Sequence, residues 1–163
     1  MAIVFIGIGS NLGDRHGNCQ VAIERLEQTG IKVLKQSSFY ETEPHGPRGQ
    51  PWFVNCVVKV ETQLTPLGLL TILQMIENEF GRKRNEKWVA RPLDLDILFY
   101  NSLVMENERI TLPHPLSHLR GFVLIPLTEI DPDLIHPILK KTITELTENL
   151  KDGKKVDPIV SIR

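Results

Sequence analysis

The order in which strand-like and helix-like patterns alternate along the chain restricts the possible folds more than any other sequence feature. Residues 3–8 form a short apolar run rich in β-branched side chains, which predicts a central strand covered on both faces. Asp14 can then cap a helix whose apolar residues recur at helical spacing until Gly30. The first two predicted elements are therefore a strand and a helix.

The following segments extend this alternation to six elements. Residues 32–42 and 53–62 have strand-like composition, and the proline- and glycine-rich stretch EPHGPRGQP between them indicates a loop. A second helix is signalled by Thr65 as N-cap and Pro66 at the first helical position, and it ends at Gly81. A strand begins again near Leu93. The order βαββαβ predicts a ferredoxin-like α+β sandwich, with an antiparallel sheet and both helices on one face.

The rest of the chain adds a loop, LPHPLSHLRG, and two further predicted helices near residues 122–130 and 142–150. With 163 residues and 41% hydrophobic content, the chain suits one domain spanning residues 1–163. A net charge of -1 gives no general attraction to nucleic acid or to an anionic membrane. No positively charged stretch stands ahead of the first apolar residues and no apolar run reaches about 18 residues, so we expect neither a signal peptide nor a membrane span. We expect a cytoplasmic monomer with small-molecule partners.

The two cysteines, Cys19 and Cys56, fall on the predicted inner faces of a helix and a strand. Buried free thiols are the expected state, and a disulfide, a metal pair or a nucleophile is the minority interpretation. This expectation agrees with a reducing compartment.

Two aspartates stand one residue apart in the otherwise apolar stretch RPLDLDILFY. In a strand, Asp94 and Asp96 point the same way and lie about 6.6 Å apart along the chain, whereas alternate residues face the core. The core-facing residues are predicted to be Leu93, Leu95, Ile97 and Phe99, with Leu98 and Tyr100 on the aspartate side. Two such carboxylates repel by about 2.5 kcal/mol at an effective dielectric constant of 20. A Mg²⁺ site would compensate, and the alternative is a solvated edge strand.

A cationic segment, GRKRNEKWVARP, lies immediately upstream of the aspartates. It carries five cationic residues against one acidic residue: Arg82, Lys83, Arg84, Lys87 and Arg91. Arginine side chains bind phosphate oxygens in a bidentate manner, which favours metal-bound polyphosphate. An RNA-binding patch, in which Trp88 stacks on a base, is the alternative. The carboxylates favour nucleotide phosphate because they would repel a bare nucleic-acid backbone.

Two residue pairs suggest ligand contacts on neighbouring elements. Phe53 and Asn55 lie two apart on a predicted strand, so an aromatic ring and an amide face one way. This combination suits a flat heterocycle, which stacks on the ring and pairs with the amide. Gln74 and Glu77 lie three apart on the second helix. Packing or capping is the alternative for each pair.

Two further motifs carry less weight. GIGSNLGD lacks the spacing of a dinucleotide fingerprint and the Lys-Ser/Thr of a phosphate-binding loop, so it is interpreted as a tight turn and helix cap. His114 and His118 in HPLSH could suggest zinc, but no third ligand stands nearby in the sequence.

Several of these motifs together resemble a known enzyme family. The 6-hydroxymethyl-7,8-dihydropterin pyrophosphokinases have similar stretches to GSNLGD, SSFYETEP, QPWFVNCV, the end of the second helix from Gln74 to Arg82, RPLDLDILFY, ERITLPHP and RGFVLIPLTEI. The resemblance spans nearly the whole chain except about the last twenty residues. It implies a ferredoxin-like fold and transfer of the terminal pyrophosphate of ATP to the hydroxymethyl group of a reduced pterin, in folate biosynthesis.

The resemblance also implies roles for individual residues. Asp94 and Asp96 would hold two Mg²⁺ ions on the ATP phosphates, and Arg82 and Arg91 would neutralise charge at the transferred group. The pterin would be sandwiched by two phenylalanines and contacted along its edge, by Thr42, Pro44, His45, Phe53, Asn55 and Phe122. The ATP side would be lined by Gln74, Glu77, Arg84, Trp88, Ile97, Arg109, Thr111, His114 and Arg120.

Two interpretations from other functional classes remain open. A ferredoxin-like RNA-binding module would stack bases on the central strands, although its glycine-aromatic motif is missing. A ligand-sensing domain would share the fold without needing carboxylates beside cations. Under the enzymatic interpretation, residues 44–51 and 81–92 are expected to close over bound ATP and exclude water.

Overall fold

One antiparallel sheet with helices on both faces forms the framework of the protein. The computed structural model describes residues 1–46, 49–81 and 90–160. The strands are β1 Ala2–Ser10, β2 Lys32–Gln36, β3 Tyr40–Thr42, β4 Phe53–Thr62, β5 Asp94–Tyr100, β6 Met105–Glu106, β7 Thr111–Leu112 and β8 Val156–Pro158. The helices are α1 Arg15–Gln28, α2 Pro66–Glu79, α3 Gly121–Ile130 and α4 Ile143–Glu148, with a short 3-10 helix at Ser117–Leu119.

The main sheet has the strand order β5-β1-β4-β3-β8, and β2 also pairs with β4. Each of these pairings is antiparallel. From the long central strand β1 the chain passes through α1, β2 and β3 to the other long central strand, β4, and α2 leads from β4 to the outer strand β5. The predicted ferredoxin-like α+β arrangement is therefore confirmed, and β6 and β7 form a separate two-stranded ribbon.

The first face of the sheet carries the larger apolar cluster and is covered by α1 and α2. Asp14 caps α1 by accepting a hydrogen bond from the backbone N–H of Gly17, and Thr65 caps α2 in the same way through Gly68. The buried apolar side chains of both helices pack on alternate residues of β1, β4 and β5. Both predicted helices thus lie on one face, as the pattern indicated.

The second face is covered in part by α3 and α4. Their buried residues pack with Phe5, Val57, Leu98 and Phe99 in a second, smaller cluster. Thr142 begins α4 with a capping box, in which its hydroxyl and the Glu145 carboxylate take up backbone N–H groups. Because α3 and α4 cover only part of this face, the remainder of the strands stays available to line a cavity.

Two local predictions are wrong. Residues 32–42 form two strands rather than one, because the Ser37 hydroxyl accepts the backbone N–H of Val57 at 2.9 Å and replaces a ladder bond. In β5, Phe99 lies on the second face and Tyr100 packs against the first, opposite to the predicted alternation. The pairing of β5 with β1 shifts between Phe5 and Ile6, which reverses the facing of the residues beyond Leu98.

Other sequence predictions concern burial and membrane insertion. Cys19 and Cys56 are both buried free thiols, as expected. Burial raises the pKa of Cys19 to about 12 against the opposing charge of Arg15, and burial also raises the pKa of Cys56. Neither thiol is therefore in its reactive form near neutral pH. Within the described parts of the chain, no helix is both long and apolar enough to cross a membrane.

Candidate active site

A cavity of about 500 Å³ opens on the second face of the sheet, beside α3. It is formed by the end of β1 and by the beginnings of β4 and β5, which meet at the same end of an antiparallel sheet. Its lining comprises Gly7, Gly9, Thr42, Glu43, Pro44, His45, Gln50, Phe53, Asn55, Cys56, Val57, Arg91, Asp94, Asp96, Leu98, Leu116, Arg120, Phe122 and Val123.

The floor of the cavity is built from residues that are neighbours across three strands. Gly9 of β1 stands opposite Asp94 of β5 and Asn55 of β4, and Gly7 stands opposite Asp96. A methyl group added at Gly9 would overlap the amide oxygen of Asn55. A side chain at position 9 would therefore displace the Asn55 amide, which occupies that space. The absence of side chains along this part of β1 leaves the cavity open between the carboxylates and the amide.

The two aspartates face the cavity together, as the alternation of the strand predicted. Arg91 Nη1 lies 3.3 Å from both carboxylate oxygens of Asp94, whereas Asp96 is the more exposed of the two. The backbone of Arg91 is fixed as well, since its N–H donates to Asn11 Oδ1 at 2.6 Å and its carbonyl accepts from Asn11 N. The guanidinium of Arg91, at the end of the cationic segment, is therefore held beside the carboxylate pair.

A second cationic side chain and a histidine lie near Asp96. Burial lowers the pKa of Arg120, and the charge of Asp96 acts in the opposite direction. Burial also lowers the pKa of His114, with Asp96 opposing this shift and Arg120 adding to it. The backbone N–H of His114 donates to the carbonyl of Leu98 at 2.9 Å, which attaches the HPLSH loop to β5. The pKa of His114 therefore lies below its ordinary value of 6.5.

The residues predicted to bind a pterin come together on the other side of the cavity. All six of them line it: Thr42, Pro44, His45, Phe53, Asn55 and Phe122. Asn55 donates a hydrogen bond of 2.6 Å from its amide nitrogen to the Thr42 hydroxyl, so the amide is held in one orientation. Phe122 lies in the first turn of α3, with the His45 ring edge-on at a centroid distance of 5.6 Å.

Most residues predicted for the ATP side lie outside the cavity lining. Arg120 lines it, whereas Gln74, Glu77, Ile97, Arg109, Thr111 and His114 do not. Glu77 is fully buried, and its Oε2 accepts the backbone N–H of Leu95 at 2.8 Å. This bond satisfies an N–H of the edge strand midway between the two aspartates and so helps to fix their position. Arg82, Arg84 and Trp88 fall outside the described residues.

Some residues of the site were not recognised from the sequence. Gly7, Gly9 and Asn11 belong to the motif interpreted as a turn and helix cap, yet the two glycines line the cavity and Asn11 holds Arg91. Asn11 also donates from its amide nitrogen to the carbonyl of Pro51 at 3.2 Å. The pairing of β1 beside the aspartate strand could have identified the glycines, whereas nothing local in the sequence indicates the contacts of Asn11.

Comparison with known proteins agrees with this geometry. The family model of 7,8-dihydro-6-hydroxymethylpterin-pyrophosphokinase (HPPK) matches residues 5–132. A 2-amino-4-hydroxy-6-hydroxymethyldihydropteridine pyrophosphokinase of Haemophilus influenzae is 44% identical over 157 residues, which cover 96% of this chain and 98% of the relative. The protein of the same name from Aquifex aeolicus is 41% identical over 145 residues, covering 89% of this chain and 90% of the relative.

Solved structures agree at the level of the fold. A triple mutant of Plasmodium falciparum HPPK-DHPS superposes with a TM-score of 0.73 at 16% identity, covering 91% of this chain. This chain spans 43% of that protein, so the similarity concerns a part of it. The family match over most of the chain and the identity to full-length relatives decide the assignment. The chain belongs to the 7,8-dihydro-6-hydroxymethylpterin-pyrophosphokinase family.

Proposed function

We propose that the chain transfers the pyrophosphoryl group of ATP to the hydroxymethyl group of 6-hydroxymethyl-7,8-dihydropterin. The products are AMP and the pterin diphosphate, an intermediate in tetrahydrofolate biosynthesis. One observation carries the proposal: the carboxylates of Asp94 and Asp96 share a single cavity with an aromatic and amide group formed by Phe53, Asn55 and Phe122. An acceptor bound against the aromatic rings would therefore lie next to phosphates bound at the carboxylates.

The pterin half of the cavity matches a flat, polar-edged ring. Phe53 and Phe122 supply aromatic faces for stacking, and the buried amide of Asn55 supplies a donor and an acceptor for the edge of the heterocycle. The Thr42 hydroxyl fixes this amide, so its orientation is set before the ligand binds. Residues 42–45 line the same side of the cavity, and their backbone would contribute further polar groups to the edge of the ring.

The carboxylate half suits a hard divalent cation. Asp94 and Asp96 provide two oxygen ligands on one side of a strand. Among the described residues, no larger group of three or more His, Cys, Asp or Glu side chains is placed to hold a metal ion. Such a pair fits Mg²⁺, which commonly binds one or two carboxylates together with phosphate oxygens and water. Two Mg²⁺ ions held there would neutralise phosphate charge and lower the pKa of a coordinated hydroxyl.

The protein's own residues then position the reactants and balance charge. The Arg91 guanidinium lies against Asp94 at the cavity, and Asn11 holds the Arg91 backbone. Arg120 adds a second cation near Asp96. Transfer of a phosphoryl group depends mainly on alignment and charge stabilisation, so a nucleophilic side chain is unnecessary. The buried cysteines, whose pKa values are raised, are not suited to that role.

The ATP side is proposed from the resemblance and from charge. We assign Arg82 to the transferred group, and the nucleotide to Gln74, Glu77, Arg84, Trp88, Ile97, Arg109, Thr111, His114 and Arg120. The position of Glu77 supports an indirect contribution, because its carboxylate binds the backbone between the two aspartates. Residues 44–51 and 81–92 are assigned as the segments that close over ATP, and part of each lies outside the described residues.

Product analysis tests the function directly. The purified chain is incubated with ATP, MgCl₂ and the pterin alcohol, and nucleotides are separated by ion-exchange chromatography. Formation of AMP together with a pterin diphosphate supports the proposal, whereas ADP with a pterin monophosphate would indicate transfer of one phosphoryl group. Adding EDTA in excess over magnesium is expected to stop the reaction. Undiminished AMP formation in EDTA would contradict the metal assignment.

A further inference from the structure

The C-terminal residues 150–160, here called the C-terminal strap, attach to the pterin side of the cavity. Their strand β8 pairs with β3 on its outer edge, with Thr42 opposite Val156. The pairing continues beyond the strand, because Glu43 N donates to the carbonyl of Lys155 at 2.9 Å. Lys155 N in turn donates to Glu43 Oε1 at 3.1 Å. The strap lies outside residues 5–132, which the family model matches.

Asp152 is the residue of the strap whose side chain contacts both Gly121 and His45. Its side chain is only 10% exposed, and its Oδ2 accepts the backbone N–H of Gly121 at 2.9 Å. The same oxygen lies 3.5 Å from His45 Nε2. The other carboxylate oxygen accepts from Lys154 N at 3.1 Å, which folds the strap around the side chain.

The contact with Gly121 gives α3 an N-terminal cap from a distant part of the chain. The local residue Arg120 makes no side-chain capping bond to the helix, so the Asp152 carboxylate supplies the acceptor instead. The approach is close, since a methyl group at Gly121 would lie 3.1 Å from Leu150 and 3.4 Å from Val156. Phe122, the next residue, lines the cavity from this first helical turn.

His45 lies on the facing wall, with its Nε2 3.5 Å from Asp152 Oδ2. His45 packs edge-on against Phe122, and it lies in the loop after β3 that also lines the cavity. The charged groups around its ring are Asp152, Arg120 and Lys154. Burial lowers the pKa of His45, Arg120 and Lys154 lower it further, and Asp152 acts in the opposite direction. One carboxylate thus hydrogen-bonds the helical turn that carries Phe122 and also lies 3.5 Å from the His45 ring.

We propose that Asp152 is a positioning residue for the pterin: it sets the distance between the 42–45 loop and the first turn of α3, where the pterin ring inserts. This inference rests on the proposed function, because it assigns the ligand to that half of the cavity. Asp152 itself does not line the cavity and touches no reacting atom. Its effect is therefore expected on pterin binding, with little effect on ATP binding.

The competing explanation is that Asp152 only stabilises the fold. Steady-state kinetics with Asp152→Ala separates the two, with Asp157→Ala as the matched control, because Asp157 is an exposed aspartate of the same strap. We expect Asp152→Ala to raise the KM for the pterin alcohol about tenfold, the effect of losing a charge-assisted hydrogen bond. The KM for ATP should stay within about twofold of wild type, and the control should match wild type.

The conservative substitution Asp152→Asn provides a second test that does not depend on the alanine variant folding. An amide oxygen can still accept from Gly121 N, so the KM for the pterin should return most of the way to wild type. The lost charge should lower the pKa of His45, measured by its ring proton shifts in an NMR titration. A His45 pKa that does not change would overturn the contact on which the proposal depends.

The two proposals fail in different ways. Absence of AMP formation by the wild-type chain would overturn the proposed function. An active wild type together with an Asp152→Ala variant of unchanged pterin KM would overturn the positioning role alone. Equal increases of KM for pterin and for ATP, accompanied by a lower melting temperature, would show that Asp152 acts only through overall stability and would also overturn it.

Discussion

The two faces of the sheet differ in the roles of the side chains that alternate along the same strands. On the first face, the side chains of β1, β4 and β5 are apolar and meet the apolar stripes of α1 and α2. On the second face, the same strands present Gly7, Gly9, Asn55, Asp94 and Asp96 beside an apolar cluster under α3. One face therefore stabilises the fold, and the other combines stabilisation with a site.

This difference explains how aspartates can stand in an apolar strand. Leu95, between the two carboxylates, is 3% exposed on the first face, and its N–H is taken by the buried Glu77. The strand is thus held by its core side and by the α2 carboxylate, while its other side faces the cavity. Substitutions on the two faces should consequently separate activity from stability.

The largest effect is expected for Asp96→Ala on the second face. Loss of a proposed Mg²⁺ ligand should lower kcat by about 1,000-fold or more, comparable with removing a main electrostatic stabiliser of a transition state. The side chain is exposed, so the unfolding free energy should stay within about 0.5 kcal/mol of wild type. Turnover at saturating Mg²⁺ and urea unfolding measure the two quantities.

Asp133→Ala is the control for this substitution, since Asp133 is an exposed aspartate away from the cavity. It should leave both turnover and stability unchanged. Normal turnover of Asp96→Ala at saturating magnesium would contradict the metal assignment. If Asp96→Ala lowers the unfolding free energy and Asp133→Ala does not, the second face contributes more to the stability of the fold than we expect.

On the first face, Leu73→Ala should produce the opposite result. Leu73 of α2 is completely buried in the larger cluster, so truncation leaves a cavity and should lower the unfolding free energy by about 3 kcal/mol. The kcat of the folded variant, measured well below its melting temperature, should remain within about twofold of wild type. A kcat loss above tenfold with intact folding would show that the faces are coupled.

A smaller, ligand-specific effect is expected for Phe122→Ala at the border of cavity and cluster. Phe122 is half-buried and packs against the second apolar cluster, so part of its surface is available for stacking. Losing one aromatic face should weaken pterin binding by about 1–2 kcal/mol, while ATP affinity stays near wild type. Isothermal titration with each ligand measures this, and equal losses for both would count against the stacking role.

The sequence identified the first face better than the second. Helix caps at Asp14 and Thr65 and the order of elements depend on local rules, and these predictions agree with the structure. Phe99 was misplaced because the shift in pairing with β1 depends on the partner strand and is invisible in the β5 sequence. The break at Ser37 likewise depends on a hydroxyl bonded to another strand.

The residues of the candidate site also differ in whether the sequence identified them. Asp94, Asp96, Phe53 and Asn55 were identified because two-residue spacing on a strand places side chains together. The resemblance to a family was needed to add Phe122, which approaches from a different element. Asp152 was not identified by either route, because its contacts with Gly121 and His45 join segments far apart in sequence.

The smallest predicted effect compares two tyrosines on opposite faces. Tyr40 donates to Glu129 Oε1 at 2.6 Å on the second face, whereas the Tyr100 hydroxyl donates to the carbonyl of Leu64. Replacing either by phenylalanine removes one hydrogen bond and should lower the unfolding free energy by about 1 kcal/mol at pH 7. Only the bond to a carboxylate should depend on pH.

The direction of that dependence follows from Glu129. Burial raises the pKa of Glu129, but hydrogen bonds from Tyr40 and Ser38 outweigh burial and bring it below the ordinary value of 4.5. As pH falls, the unfolded chain therefore takes up the proton first, so this stabilisation is complete above pH 4.5 and is lost as pH falls through the lower folded value. Urea unfolding should show the Tyr40→Phe deficit shrinking below pH 4.5 while that of Tyr100→Phe stays constant. A deficit that shrinks equally for both would place its cause outside Glu129.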